Sequence, residues 1–214
     1  MSPKRPLTFS SVDQARQLLV RQRPYILNKQ PLSEPEAIIR KSVEQNIFRT
    51  FGGMPQPPSV CFRSWAAGSY ARLLRQLQEV TSQEDYDTVI QTHARTLGDH
   101  WRREQQAKIG YGPATKMINL LVKAMFLNGA LRLLSFATWY NIPFDSFTLR
   151  PLVELIDDLL PNLDFTIPMH GQMTMNYVIC EEQYHQLQLA VCTLCDGTGK
   201  TPFDYELLAW DSRH

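Results

Sequence analysis

The sequence predicts an all-α fold: a single domain over residues 1–214 built from about seven to nine helices. Three observations predict it. Every long apolar-periodic segment repeats at three and four residues, the spacing of one helix face, and none alternates for long as a half-buried strand does. Capping residues stand where those periods begin: Ser10 or Ser11, Ser33 with Glu36, Thr81 with Glu84, and Asp145 or Ser146. Helix-stopping residues stand where they end, at Gly52 and Gly53, at Pro161, and at Gly197 with Gly199.

The first helix is VDQARQLLVRQRPYI, with Val12, Ala15, Leu18 and Leu19 on one face and Arg16, Arg21 and Arg23 on the other, strained or ended by Pro24. The capping box of Ser33 and Glu36 opens a second through AIIRKSVEQNIFRTF, whose core face is Ile38, Ile39, Val43, Ile47 and Phe48. Prolines in MPQPPS, residues 54–59, remove backbone donors and predict a loop. SWAAGSYARLLRQLQEV then turns Trp65, Tyr70, Leu73, Leu74 and Leu77 inward and Arg72 and Arg75 outward. A long helix through DYDTVIQTHARTLGDHWRREQQ follows, ending in the basic cluster Arg102, Arg103 and Lys108.

The run from Ile109 to Leu134 is the longest apolar helical stretch. Gly110 and Gly112 have access to backbone angles closed to other residues, and Pro113, with its fixed torsion and no amide hydrogen, suits a first helical turn. Met117, Leu120, Leu121, Ala124, Leu127, Leu131 and Leu134 form a core face, while Lys116, Asn119 and Lys123 form a second, positively charged stripe. Free amides at the helix start, with Lys116 beside them, would make a phosphate site. The same glycines also suit a plain tight turn into a buried helix.

Beyond this run, Asp145 or Ser146 caps a helix through FTLRPLVELIDDLL that Pro161 ends, and FTIPMHGQMTMNYVI, residues 165–179, is a connector with room for one short extended piece. Cys180 to Cys195 reads as a helix burying Tyr184, Leu187, Val191 and Leu194, and Thr201 with Pro202 opens a last one, PFDYELLAW.

Composition is that of a globular chain, 43% hydrophobic and 20% charged. The net charge of +1 hides an asymmetry. Residues 1–134 hold 19 Lys and Arg against 10 Asp and Glu, a balance of +9, and residues 135–214 hold 3 against 11, a balance of −8. The basic part suits a polyanion, so nucleic acid, DNA ahead of RNA, is the expected partner. Oppositely charged halves that pack on each other explain the same numbers. No membrane role is expected, because Lys123 and Arg132 interrupt the apolar stretch from Met117 to Tyr140, each at roughly 2.5–3.5 kcal/mol in mid-bilayer. No secretory segment follows MSPKRPLTF, and four cysteines lack disulfide-scaffold density, which together predict a cytoplasmic protein.

Several motifs invite chemistry and fall short of it. DGTGKT at 196–201 has Leu194 where a phosphate-binding loop needs its first Gly, and Pro202 follows at once. Cys192 and Cys195 form a CxxC with Cys180 and His185 nearby, a weak zinc pattern on an apolar helix where free cysteines serve as small hydrophobes. His93 and His100 share a helix face but bring no further ligands at metal spacing. No metal and no cofactor are expected.

Residues 109–118, IGYGPATKMI, resemble the hairpin of the helix-hairpin-helix DNA glycosylases, and IPFDSFTL at 142–149 is similar to the segment in which a Pro-containing loop delivers that family's catalytic Asp. The resemblance implies phosphate-binding roles for Gly110, Gly112 and Lys116, and for Asp145 assistance to the departure of a flipped base. Lys123, Arg102, Arg103 and Lys108 extend the basic surface on either side of the hairpin. The family's lyase members carry Lys just before the hairpin Thr, where this chain has Ala114, so monofunctional chemistry without a Schiff base is implied. The span between the two segments calls for a turn around Asn128 and Gly129. The rival expectation is a non-catalytic protein-protein interaction module, or one subunit of a larger complex.

Overall fold

The structure, a computed structural model, describes residues 7–23, 30–132, 135–162 and 173–211. Among them the chain forms α1 (Val12–Arg21), α2 (Pro35–Ser42), α3 (Gln45–Phe48), α4 (Pro58–Glu79), α5 (Gln83–Gln105), α6 (Tyr111–Leu127), α7 (Phe136–Trp139), α8 (Ser146–Val153), α9 (Ile156–Leu159), α10 (Glu181–Cys195) and α11 (Pro202–Asp211), with a 3-10 turn at Met175–Tyr177 and no strand. The all-α fold is as expected. The helices exceed the expected number because α3, α7 and α9 are four-residue pieces too short for a periodic signal. The contacts gather into two compact units, Ile26–Trp139 and a second that joins Met1–Tyr25 to Tyr140–His214.

In unit 26–139, α6 packs on α2 and α5, and α4 packs on α2, α3 and α5. Every residue from Gly112 to Asn119 is buried, so the first two turns of α6 are enclosed on all sides. That corrects the expected two-faced helix: Asn119 has no exposure and Lys116 only 7%, and the half-exposed face is Leu120, Lys123, Ala124 and Leu127. α6 also stops at Leu127, short of Leu134, which lies outside the described residues. Gly129 takes φ +73, with its amide bonded to Phe126 O (2.9 Å) and that of Ala130 to Met125 O (2.9 Å), a left-handed stop that side-chain-bearing residues rarely adopt. The turn called for around Asn128 and Gly129 is this one. Asn128 also accepts from Leu32 N (2.9 Å) through Oδ1.

Several predicted boundaries move for local reasons. Pro35 fixes the start of α2, leaving Glu34 as a cap without a side-chain bond, so the box of Ser33 and Glu36 does not form. The helix expected to continue to Gly52 breaks after Ser42, whose hydroxyl bonds Ile39 O (2.8 Å) while Val43 and Glu44 turn extended. α4 starts at Pro58, within the expected loop. The residues before it are held: Gln56 N donates to Gln105 Oε1 (3.3 Å) and Gln105 Nε2 to Gln56 O (3.0 Å). The cap of α5 falls on Ser82, which accepts from Asp85 N (3.1 Å), one residue later than the Thr81 and Glu84 box.

In the second unit, α10 packs on α1, α8, α9 and α11, and α11 on α1 and α8. Ser11 caps α1. Arg16, expected on the outer face of α1, donates to Thr193 O (2.9 Å) and Leu194 O (3.3 Å) in the last turn of α10, where carbonyls are unpaired and the helix dipole favours a cation. Lys200 returns the contact, Nζ donating to Gln22 O (2.7 Å) at the end of α1. The helix expected from 146 to 160 breaks at Glu154 and Leu155, where Leu155 N bonds Leu152 O (3.0 Å) in a tightened turn shortly after Pro151. Buried Gln188 does for Ile142 what Gln105 does for Gln56, accepting from its N (3.1 Å) and donating to its O (2.9 Å). Of the expected extended piece, residues 165–172 lie outside the described residues, and 175–177 form the 3-10 turn. Pro24 also lies outside them.

Candidate nucleic-acid interface

The basic end of α5 is solvent-facing. Arg102, Arg103 and Lys108 are exposed, and Arg102 reaches Asp99 at 3.7 Å across a pair of well-exposed side chains, an interaction of little net energy. On α4, which packs beside α5, Arg72 and Arg75 are exposed as expected. Within this unit charge favours the cation side: residues 26–139 hold fourteen Lys and Arg against nine Asp and Glu, a balance of +5.

A cleft of about 370 Å³ opens between α4 and α5, lined by Ser64, Trp65, Gly68, Ser69 and Arg72 on one side and Thr96, Asp99, His100 and Arg103 on the other. A Cβ on Gly68 would meet nothing within 4 Å, so the missing side chain leaves that space open. Trp65 is 5% exposed, and neither its Nε1 nor His100 Nε2, both shielded from water, has a hydrogen-bond partner among the described residues. Next to Trp65, in an edge-on ring contact at 6.0 Å, His93 is fully buried with Nε2 2.8 Å from Gln76 Oε1. Burial, and secondarily the charge of Arg72, push the His93 imidazole down to about 4, so it is neutral near pH 7.

The hairpin residues divide. Gly110 caps α6 without a side-chain bond, exposed and in ordinary extended geometry (φ −67°, ψ 159°), so the expected unusual backbone angles are not used there. Gly112 and Lys116 are buried, and Thr115 Oγ1 turns back to Tyr111 O and Gly112 O at 3.0 Å each. Lys123 is half-buried beside a groove it shares with Lys41, Leu120, Ala124 and Leu127.

Asp145 belongs to the other unit. It caps α8: Oδ1 accepts from Phe147 N (2.9 Å) and Thr148 N (3.2 Å), and its own N–H donates to Thr148 Oγ1 (2.9 Å), a complete capping box in a residue 9% exposed. Tyr205 reaches the same turn from α11, donating to Thr148 O at 2.7 Å, and its complete burial holds the phenol well above its ordinary pKa.

In DGTGKT, Gly197 and Gly199 take φ +74 and +68 to end α10, and Lys200 is spent on Gln22. Cys195 is buried, and desolvation raises its thiol far above the ordinary range, keeping it protonated. Among the described residues no three His, Cys, Asp or Glu side chains gather as a metal site. The cleft was not anticipated. Its signal was present in the helical spacing of residues 64, 65, 68, 69 and 72 and of 96, 99, 100 and 103, two polar stripes facing each other around a helix-interior glycine.

Comparison of the chain with family models, with curated proteins and with solved structures finds no match in any of the three.

Proposed function

We propose that this chain binds nucleic acid, DNA in preference to RNA, through the basic surface that α4 and the end of α5 present. The observation that carries the reading is the solvent exposure of Arg72, Arg102 and Arg103 on two packed helices and of Lys108 in the turn that follows, two residues before an exposed helix-start glycine, Gly110. Flexible cations on a rigid helical surface suit backbone phosphates, whose neutralisation releases condensed counterions. The likeness of residues 109–118 to a helix-hairpin-helix points the same way. The test is an oligonucleotide titration by fluorescence anisotropy at several salt concentrations. Affinity is expected to fall steeply with salt, and changing Arg103 and Lys108 together to Gln is expected to reduce the log–log slope by about 1–2. Binding that is salt-insensitive, or absent at low salt, removes this reading.

Base release at Asp145, the finer implication of the glycosylase likeness, finds a competing use of the carboxylate in the cap of α8. A second reading, a protein-interaction module, is favoured by Ile179 and Leu189, which are 75% and 54% exposed before and on α10. Self-association in sedimentation that vanishes in Ile179→Ser/Leu189→Ser would support it; a monomer at all concentrations, with no binding partner lost in that variant, would count against it.

A further inference from the structure

We infer that the cleft between α4 and α5 is a seat for a single phosphate group, and that it deepens the nucleic-acid reading by naming where a phosphate is gripped rather than merely neutralised. The inference rests on that reading for its choice of polymer, but not for its chemistry. Two guanidinium groups, Arg72 from α4 and Arg103 from α5, stand on opposite walls. Guanidinium groups are the side chains best matched to phosphate oxygens, in charge and in paired N–H geometry.

The walls hold more than charge. Trp65 is 95% buried, yet its indole Nε1–H has no acceptor among the described residues, and His100 Nε2 is likewise shielded and unpaired. Buried donors are almost always paired, and these two unpaired groups belong to residues on the two walls of one cleft. An indole is a donor only, and His100 is a donor in the matching tautomer, so what they lack is a group rich in acceptors and carrying no hydrogens of its own to spare. A phosphate oxygen is such a group. The lining holds two guanidinium groups against one acid, Asp99, which lies 3.7 Å from Arg102.

Gly68 makes room. In the interior of a 22-residue helix it sacrifices helix propensity, and the space its missing side chain leaves opens on this cleft. A glycine there is otherwise a poor choice, since nothing packs within 4 Å of its absent Cβ.

The test follows the Trp65 indole N–H in two-dimensional nitrogen–proton spectra of the full chain, assigned by its loss in Trp65→Phe. Inorganic phosphate and a short single-stranded oligonucleotide are titrated in separate arms. Phosphate is expected to shift this signal downfield saturably, with Arg103→Gln weakening the apparent affinity by about tenfold or more, Asp99→Asn strengthening it, and Arg49→Gln, away from the cleft, leaving it alone. Gly68→Leu should abolish the shift while keeping the melting temperature at or above that of the parent, which separates a filled cleft from a damaged fold. No shift with either ligand overturns the seat. So does a shift that Gly68→Leu and Arg103→Gln leave unchanged. If the oligonucleotide binds with salt dependence but neither it nor phosphate moves Trp65, the seat falls and the general nucleic-acid reading stands. If phosphate moves Trp65 and the oligonucleotide does not bind, the seat stands as a site for a small phosphate-bearing ligand and the nucleic-acid reading falls.

Discussion

Asp145 carries two incompatible expectations, and a conservative substitution separates them. Its Oδ1 accepts from two amides of α8, a task the side-chain oxygen of Asn performs as well. Asp145→Asn is therefore expected to leave chemical unfolding nearly unchanged, while Asp145→Ala loses about 1–2 kcal/mol. Incubation with oligonucleotides carrying modified bases is expected to give no abasic product from either the parent or the Asn variant. Product from the parent that disappears in the Asn variant would return Asp145 to a catalytic role. His93 supports a prediction of opposite kind, in pH. Its folded-state value is depressed from 6.5 to about 4, so between these values the unfolded chain binds the proton that the folded chain refuses. Its stabilising contribution is present above about pH 6.5 and is lost as pH falls toward about 4, amounting to roughly 2–3 kcal/mol. The groups that meet the imidazole from α4 are Arg72, Trp65 and Gln76. Urea unfolding across that pH range should show a slope that His93→Gln removes; equal slopes in the two proteins would sink the assignment.

Elements are tied together by side chains standing in for backbone. Gln105 and Gln188, both nearly inaccessible, each pair a non-helical residue's N–H and C=O through one amide, imitating a rung of a sheet inside an all-helical protein. In Gln188→Leu the volume survives but Ile142 loses both partners, and the expected cost is about 2–4 kcal/mol, since each orphaned buried group costs about 1–3. Unfolding midpoints of Gln188→Leu and Gln188→Ala should be similarly low. A Leu variant as stable as the parent would mean that Ile142 finds other partners. Helix boundaries at this scale followed proline and glycine more closely than they followed the capping pairs. Pro35 and Pro58 set starts, and Gly129, Gly197 and Gly199 set stops, because fixed or left-handed torsions act without any partner.

At the scale of the whole molecule, the two ends of the chain fold together. Arg16 of α1 bonds carbonyls 177 and 178 residues away at the end of α10, and Lys200, in the turn after α10, bonds Gln22 at the end of α1. Leu19, fully buried on α1, should therefore matter for distant helices. Leu19→Ala is expected to cost about 2–5 kcal/mol and to lower hydrogen-exchange protection in α10 and α11 along with α1. Fraying confined to α1 would contradict this shared unit. The arrangement also divides the charge differently from the chain order: residues 26–139 carry +5, while the ends together hold eight Lys and Arg against twelve Asp and Glu, a balance of −4. Part of the basic N-terminal segment thus folds with the acidic C-terminal one, as Arg16 does.

The all-α class, the inward faces of α4 and α10, and the caps at Ser11 and Asp145 were legible in the sequence, because periodicity and capping act over three or four residues and need no distant partner. What only the tertiary structure decided is which polar residues meet solvent. Lys116 and Lys123 share a stripe in sequence, yet the first is buried in the enclosed first turns of α6 and the second lies half-open one turn beyond them. Helical spacing assigns residues to a face but not that face to a neighbour. The cleft of Trp65, Arg72, His100 and Arg103 escaped for the same reason: its two stripes lie on separate helices, and their facing is a product of packing, which no local pattern contains.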